Sequence, residues 1–113
     1  MLTTAKLREY GANVDEGLMR CMNDEGFYLS LVTSALNDER VYLLEKEIDE
    51  NDLDKAFETA HALKGMYGNL SLTPLFEPMN EMTELLRGRT QTDYSRLMSE
   101  AKIQYNRLVE MNK

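Results

Sequence analysis

Between residues 53 and 70 the apolar side chains recur at intervals of three, four, three, four and three: Leu53, Ala56, Ala60, Leu63, Tyr67 and Leu70. That spacing places all six on one face of an α-helix and nowhere alternates as a strand requires. A helix with such a stripe must bury it against other helices. Asp52, just ahead of the stripe, suits an N-cap, because its carboxylate can accept an amide hydrogen that the first turn leaves free.

The rest of the chain repeats the pattern. Thr73 followed by Pro74 predicts a helix start, with Thr73 as N-cap and Pro74 at the first helical position. Leu75, Met79, Met82 and Leu86 then form a stripe up to Gly88. Pro78 lies one turn in, where a proline either kinks a helix or delays its start. Residues 87–92 read as a loop. Asp93 can open a last helix with Tyr94, Met98, Ala101, Tyr105 and Leu108 on one side. Upstream, residues 27–50 carry Leu29, Val32, Leu36 and Leu43 or Leu44 at helical spacing, interrupted by Asn37 and Asp38. No Gly or Pro intervenes, which favours one helix, while the interruption leaves one helix or two open. Asn23-Asp24-Glu25 supplies its cap and acidic first turn. Residues 2–9 form a short leading helix that Gly11 breaks. Asn13 or Asp15 caps a second short helix over 15–22, which would bury Leu18, Met19 and Met22. The expected fold is all-α: an antiparallel four-helix bundle with one or two short N-terminal helices, as a single domain over residues 1–113.

Charge and composition narrow the function classes. A net charge of -7 over 113 residues argues against a general affinity for nucleic acid or an anionic membrane surface. The one cysteine, Cys21, lies among Leu18, Met19 and Met22 and reads as a small buried hydrophobe. With one Cys and one His, a zinc site rich in those ligands cannot be built within one chain. The opening residues carry acids and no apolar run, unlike a secretory signal, and no segment approaches a membrane span in length. A reducing cytoplasm is the expected compartment. No glycine-rich phosphate loop is present, so the chain is not expected to bind ATP and phosphorylate itself.

His61 is the only histidine, and on the helical wheel it falls about 140° from the centre of the apolar stripe. Asp54, Phe57, Lys64, Gly65 and Gly68 share that outer face. An exposed imidazole in its neutral form keeps a free lone pair and is a competent nucleophile toward a phosphoryl group. Lys64, about one turn on, can reach the same space and offset phosphoryl charge. Glycine within a helix costs about 1 kcal/mol relative to alanine. Two of them beside the histidine imply a shallow groove that another protein's backbone can enter. Phe57 adds exposed apolar surface for docking. Each residue alone would be an ordinary surface residue; their coincidence on one face points to function. A Ser-His-Asp triad would need an inward, oriented histidine, which His61 is not.

Ala60-His61-Ala62-Leu63-Lys64-Gly65 resembles the signature of histidine-containing phosphotransfer domains: a His, then Lys and Gly at the third and fourth following positions, then a small residue at the seventh, here Gly68. Val14-Asp15 with Gly17-Leu18, Phe27-Tyr28-Leu29, and the Asn51-Asp52 turn resemble other parts of the family pattern. Departures are Ser71, where the family has Gly, and Met66 and Tyr67, where small residues are common. Little consequence is expected of Ser71. Tyr67 is expected in the core, and Met66 to affect which partner docks.

The resemblance implies a phosphoryl carrier that is not an enzyme in its own right. His61 would be the phosphoacceptor and Lys64 would stabilise phosphoryl charge. Gly65, Gly68, Phe57 and Asn69 would form the docking surface for receiver domains of response regulators or hybrid histidine kinases. The chain itself would need no cofactor, because Mg²⁺ and the acidic pocket belong to the receiver. It would act as a monomer. The alternative from another class is an adaptor, a degenerate relative that binds a signalling partner through the same face and never carries phosphate.

Overall fold

The structure is a computed structural model that describes residues 1–113. Seven helices follow one another without strands: α1 (Thr4–Tyr10), α2 (Val14–Arg20), α3 (Glu25–Asn37), α4 (Arg40–Asp49), α5 (Leu53–Asn69), α6 (Thr73–Arg87) and α7 (Ser95–Met111). α5 packs between α4 and α6, and α7 closes the bundle against α6, α4 and α3. Short links at 50–52 and 70–72 make successive helices run antiparallel. α1 and α2 are the short N-terminal helices, so the expected four-helix bundle is the observed fold.

The stripes read from the sequence are the core. Every stripe residue of α5 is buried, and Leu63 and Tyr67 are fully so, as are Leu75, Met79, Met82 and Leu86 of α6. Full burial of a leucine side chain is worth roughly 1.5–3 kcal/mol. Asp52 does cap α5, accepting from the Lys55 amide at 3.3 Å. Of the two possible caps for α2, Asn13 is the one used, accepting from the Glu16 amide. Gly11 ends α1 with φ 110°, a left-handed conformation that suits glycine.

Four expectations need correction. The segment 27–50 is two helices, not one. Asp38 adopts an extended backbone, and its carboxylate accepts from the Arg40 amide at 3.1 Å while pairing with the Arg40 guanidinium at 2.6 Å. This side-chain competition with the helix ends α3 and starts α4 without any Gly or Pro. Leu44 is then the core residue, and Leu43 is outside. Next, α2 stops at Arg20, and Met19 and Met22 are 67% and 86% exposed. Met22 and Asn23 turn the chain with φ 56° and 58°, leaving Val14, Gly17 and Cys21 to fill that part of the core. Third, Thr73 is the first residue of α6 rather than its cap. Leu72 takes the cap position, and the Thr73 hydroxyl donates to the Ser71 carbonyl at 3.5 Å. Finally, Pro78 does not delay α6. The carbonyl its missing amide leaves free is that of Pro74, one turn into the helix, where the loss is small.

Three buried tyrosines link α3, α5 and α7. Tyr28 donates to the Leu70 carbonyl at 2.8 Å and Tyr105 to the Leu36 carbonyl at 2.5 Å. The Tyr67 hydroxyl, in the core as expected, has no hydrogen-bond partner. Burial pushes the Tyr28 hydroxyl up to about 12 and that of Tyr67 higher still.

Candidate functional site

Because Ala60 and Leu63 are anchored in the core, helix geometry turns His61 and Ala62 outward, and both are exposed. The imidazole lies obliquely against Phe57, with ring centroids 5.7 Å apart and planes at 44°. Phe57 is half-buried against the core rather than offered freely for docking. Its ring is covered by two guanidinium groups, Arg87 at 5.1 Å and Arg89 at 5.4 Å from the centroid. Arg89 is ion-paired with Asp54, one turn before Phe57.

Lys64 does not point freely into solvent. Its ammonium is 3.6 Å from Oε1 of Glu84 on α6, whose Oε2 accepts from Arg87 Nε at 3.1 Å. The Arg87 guanidinium holds the Glu84 carboxyl below the usual carboxylate range, and Lys64 adds to the effect. The site is therefore three cations near the Phe57–His61 pair held by two carboxylates, Arg89 by Asp54 and both Lys64 and Arg87 by Glu84.

The two glycines have different causes. A Cβ on Gly65 would meet nothing within 4 Å, so Gly65 clears open space. A Cβ on Gly68 would lie 3.0 Å from the Phe76 ring, so Gly68 makes room for an α6 side chain as well as lining the groove on this face. A groove of about 530 Å³ runs along this side of α5, lined by Lys64, Gly65, Gly68, Asn69, Arg20 and Phe76 among others. Asn69 is exposed and also borders a second groove of about 390 Å³ on the opposite flank, with Leu31, Ala35 and Met66.

Arg20 fixes the end of this helix. Its Nη1 donates to the Gly68 carbonyl at 2.7 Å and to Ser71 Oγ at 3.1 Å, and Nη2 pairs with Glu16 at 2.5 Å. The Gly68 carbonyl also accepts from the Ser71 amide at 3.0 Å, and the guanidinium adds a charged donor at the helix end. Ser71 itself sits at φ 56°, in the left-handed region that favours glycine. The departure from the family's Gly thus has a cost, and the Arg20 contact to Ser71 Oγ offsets it.

A family model described as Hpt domain matches residues 33–111. The chain belongs to the Hpt domain family. No curated protein and no solved structure matches the chain. Membership assigns it to the phosphotransfer modules of two-component signalling, which carry phosphoryl groups and interact with receiver domains. The matched stretch of this Hpt domain holds α4 through α7 and so the whole surroundings of His61, whereas Arg20 and Glu16 come from α2, outside it. No helix is long and apolar enough to cross a membrane. Arg20, Glu84, Arg87 and Arg89 were not found from the sequence. The only available signal was the close spacing of Glu84, Arg87 and Arg89 where α6 ends, which says nothing about what they face.

Proposed function

We propose that this Hpt domain is a phosphorelay carrier that accepts a phosphoryl group on His61 from the aspartyl phosphate of one receiver domain and passes it to the aspartate of another, in the cytoplasm. The observation that carries the proposal is the exposed imidazole of His61 flanked by Lys64 and by the open space at Gly65, within a chain of this family. In the transfer, a ring nitrogen's lone pair forms the P–N bond as the acyl P–O bond breaks. The electron pair leaves on the receiver carboxylate, and the ring proton on the other nitrogen is then free to exchange with solvent. Lys64 offsets charge on the phosphoryl oxygens. Gly65 and Asn69 let the receiver approach, with Met66 and Leu31 offering apolar contact along the flanking groove.

The test is phosphotransfer from phosphorylated receivers to the wild-type chain and to His61→Gln. Rapid appearance of acid-labile, alkali-stable phosphate on the wild type, and none on the variant, is the expected result. Label that persists in His61→Gln would remove His61 from the role. Binding without transfer, unchanged in His61→Ala, would turn the assignment to an adaptor.

A further inference from the structure

We propose that Glu84 is a positioning residue for this site: its carboxylate holds Lys64 and Arg87 in the unphosphorylated chain, and a phosphoryl group on His61 takes over those two cations. The inference rests on the phosphoacceptor reading above and adds a partner exchange to it. Three features support it. Glu84 bridges two helices, with Oε1 toward Lys64 of α5 at 3.6 Å and Oε2 toward Arg87 of α6 at 3.1 Å. Both cations lie close to the Phe57–His61 pair: Lys64 is one turn along α5 from His61, and the Arg87 guanidinium lies 5.1 Å from the centroid of the Phe57 ring that packs against the imidazole. The Glu84 side chain is 53% exposed and the Lys64 contact is long, so the bridge is weak and solvent competes for it.

A phosphoryl dianion presents more charge and more acceptor oxygens than one carboxylate, and the planar fork of Arg87 matches it. Once His61 carries the group, the two cations gain by leaving Glu84. Glu84 then sets how much of their attraction the phosphoryl group receives. Glu84 thus competes with the phosphoryl group for Lys64 and Arg87, and removing its charge leaves both cations free to pair with that group.

The test phosphorylates His61 with phosphoramidate, which needs no receiver. Its P–N bond to ammonia breaks, the new P–N bond to imidazole forms, and ammonia leaves with the electron pair. The proton affinity of the bound phosphoryl group is read by ³¹P NMR across pH in the wild type, Glu84→Gln, Lys64→Gln with Arg87→Gln, and all three substitutions together. Glu84→Gln is expected to lower that affinity roughly twofold to fivefold, the range for exposed ion pairs, and to have no effect once Lys64 and Arg87 are gone. An effect that persists without the two cations would be the direct field of Glu84 and would overturn the proposal. So would identical titrations in wild type and Glu84→Gln. No phosphoryl uptake by the wild type would overturn the phosphoacceptor reading and this inference together.

Discussion

The same chemical change, glycine to alanine inside a helix, should have opposite outcomes at two positions of this fold. Alanine is the better helix former by about 0.8–1.0 kcal/mol. At Gly65 nothing lies within 4 Å of the added Cβ, so the full gain is expected. For a domain of this size that is a rise of about 4 °C in Tm. At Gly17 the added Cβ would lie 2.5 Å from Cε1 and 2.8 Å from Cζ of the Tyr28 ring. Tyr28 is fully buried and donates to the Leu70 carbonyl at 2.8 Å, so it cannot move without straining the core and losing that bond. Overpacking costs about 1–3 kcal/mol and an orphaned buried carbonyl about 1–3 kcal/mol more. After the helix gain is subtracted, Gly17→Ala should lose about 1–5 kcal/mol. Gly68→Ala should fall between the two, because its Cβ would press on Phe76 at 3.0 Å and that ring lies nearer the surface. Chemical denaturation at equilibrium measures all three. Gly65→Ala should also weaken receiver binding even as it stabilises the fold. A Gly65→Ala chain no more stable than wild type would refute the open-space argument. A more stable chain with unchanged receiver affinity would refute the docking role of Gly65.

Three other outcomes are expected. Tyr67→Phe removes a buried hydroxyl that has no partner, so the variant should be as stable as wild type or more stable by about 1 kcal/mol; a clear loss in denaturation would mean that the hydroxyl is satisfied. The Arg40 guanidinium hydrogen-bonded to Asp38 holds that carboxyl below the usual carboxylate range. Its stabilisation is therefore complete above the unfolded value near pH 4 and is lost as pH falls through the lower folded value, so Asp38→Asn should flatten the acid limb of a stability–pH profile. Receiver affinity should depend only weakly on salt, because the four cations Arg20, Lys64, Arg87 and Arg89 already face three carboxylates, Glu16, Glu84 and Asp54; a steep fall between low and high ionic strength would show a strongly positive docking face.

The fold was legible wherever one periodicity ran through a whole helix. The stripes of α5, α6 and α7 came out of the spacing of apolar residues, since burial of a helical face leaves a periodic trace in the sequence. What misled was local side-chain chemistry. Asp38 breaks a helix by accepting hydrogen bonds ahead of Arg40, which residue type alone did not distinguish from an exposed acid mid-helix. Met22 and Asn23 take positive φ with no glycine to announce it, so the apolar methionines of α2 were assigned to a core they do not reach.

The site divides along the same line. His61, Lys64 and Gly65 share one helix, and their relation follows from 3.6 residues per turn. Glu84, Arg87 and Arg89 meet Lys64, Phe57 and Asp54 only because the end of α6 packs on α5, and Arg20 reaches the Gly68 carbonyl only because α2 returns to the end of α5. Those cross-helix contacts also resolve a tension in the charge. A chain of net charge -7 would repel an acidic receiver pocket if its charges were spread evenly. Here Lys64 and Arg87 share the Glu84 carboxylate and Arg89 pairs with Asp54, in solvent-accessible contacts each worth about 1 kcal/mol or less. On the phosphoacceptor proposal, these cations would change partners at little cost when a phosphoryl group arrives. That proposal needs no large positive patch, only cations weakly enough held to be given up.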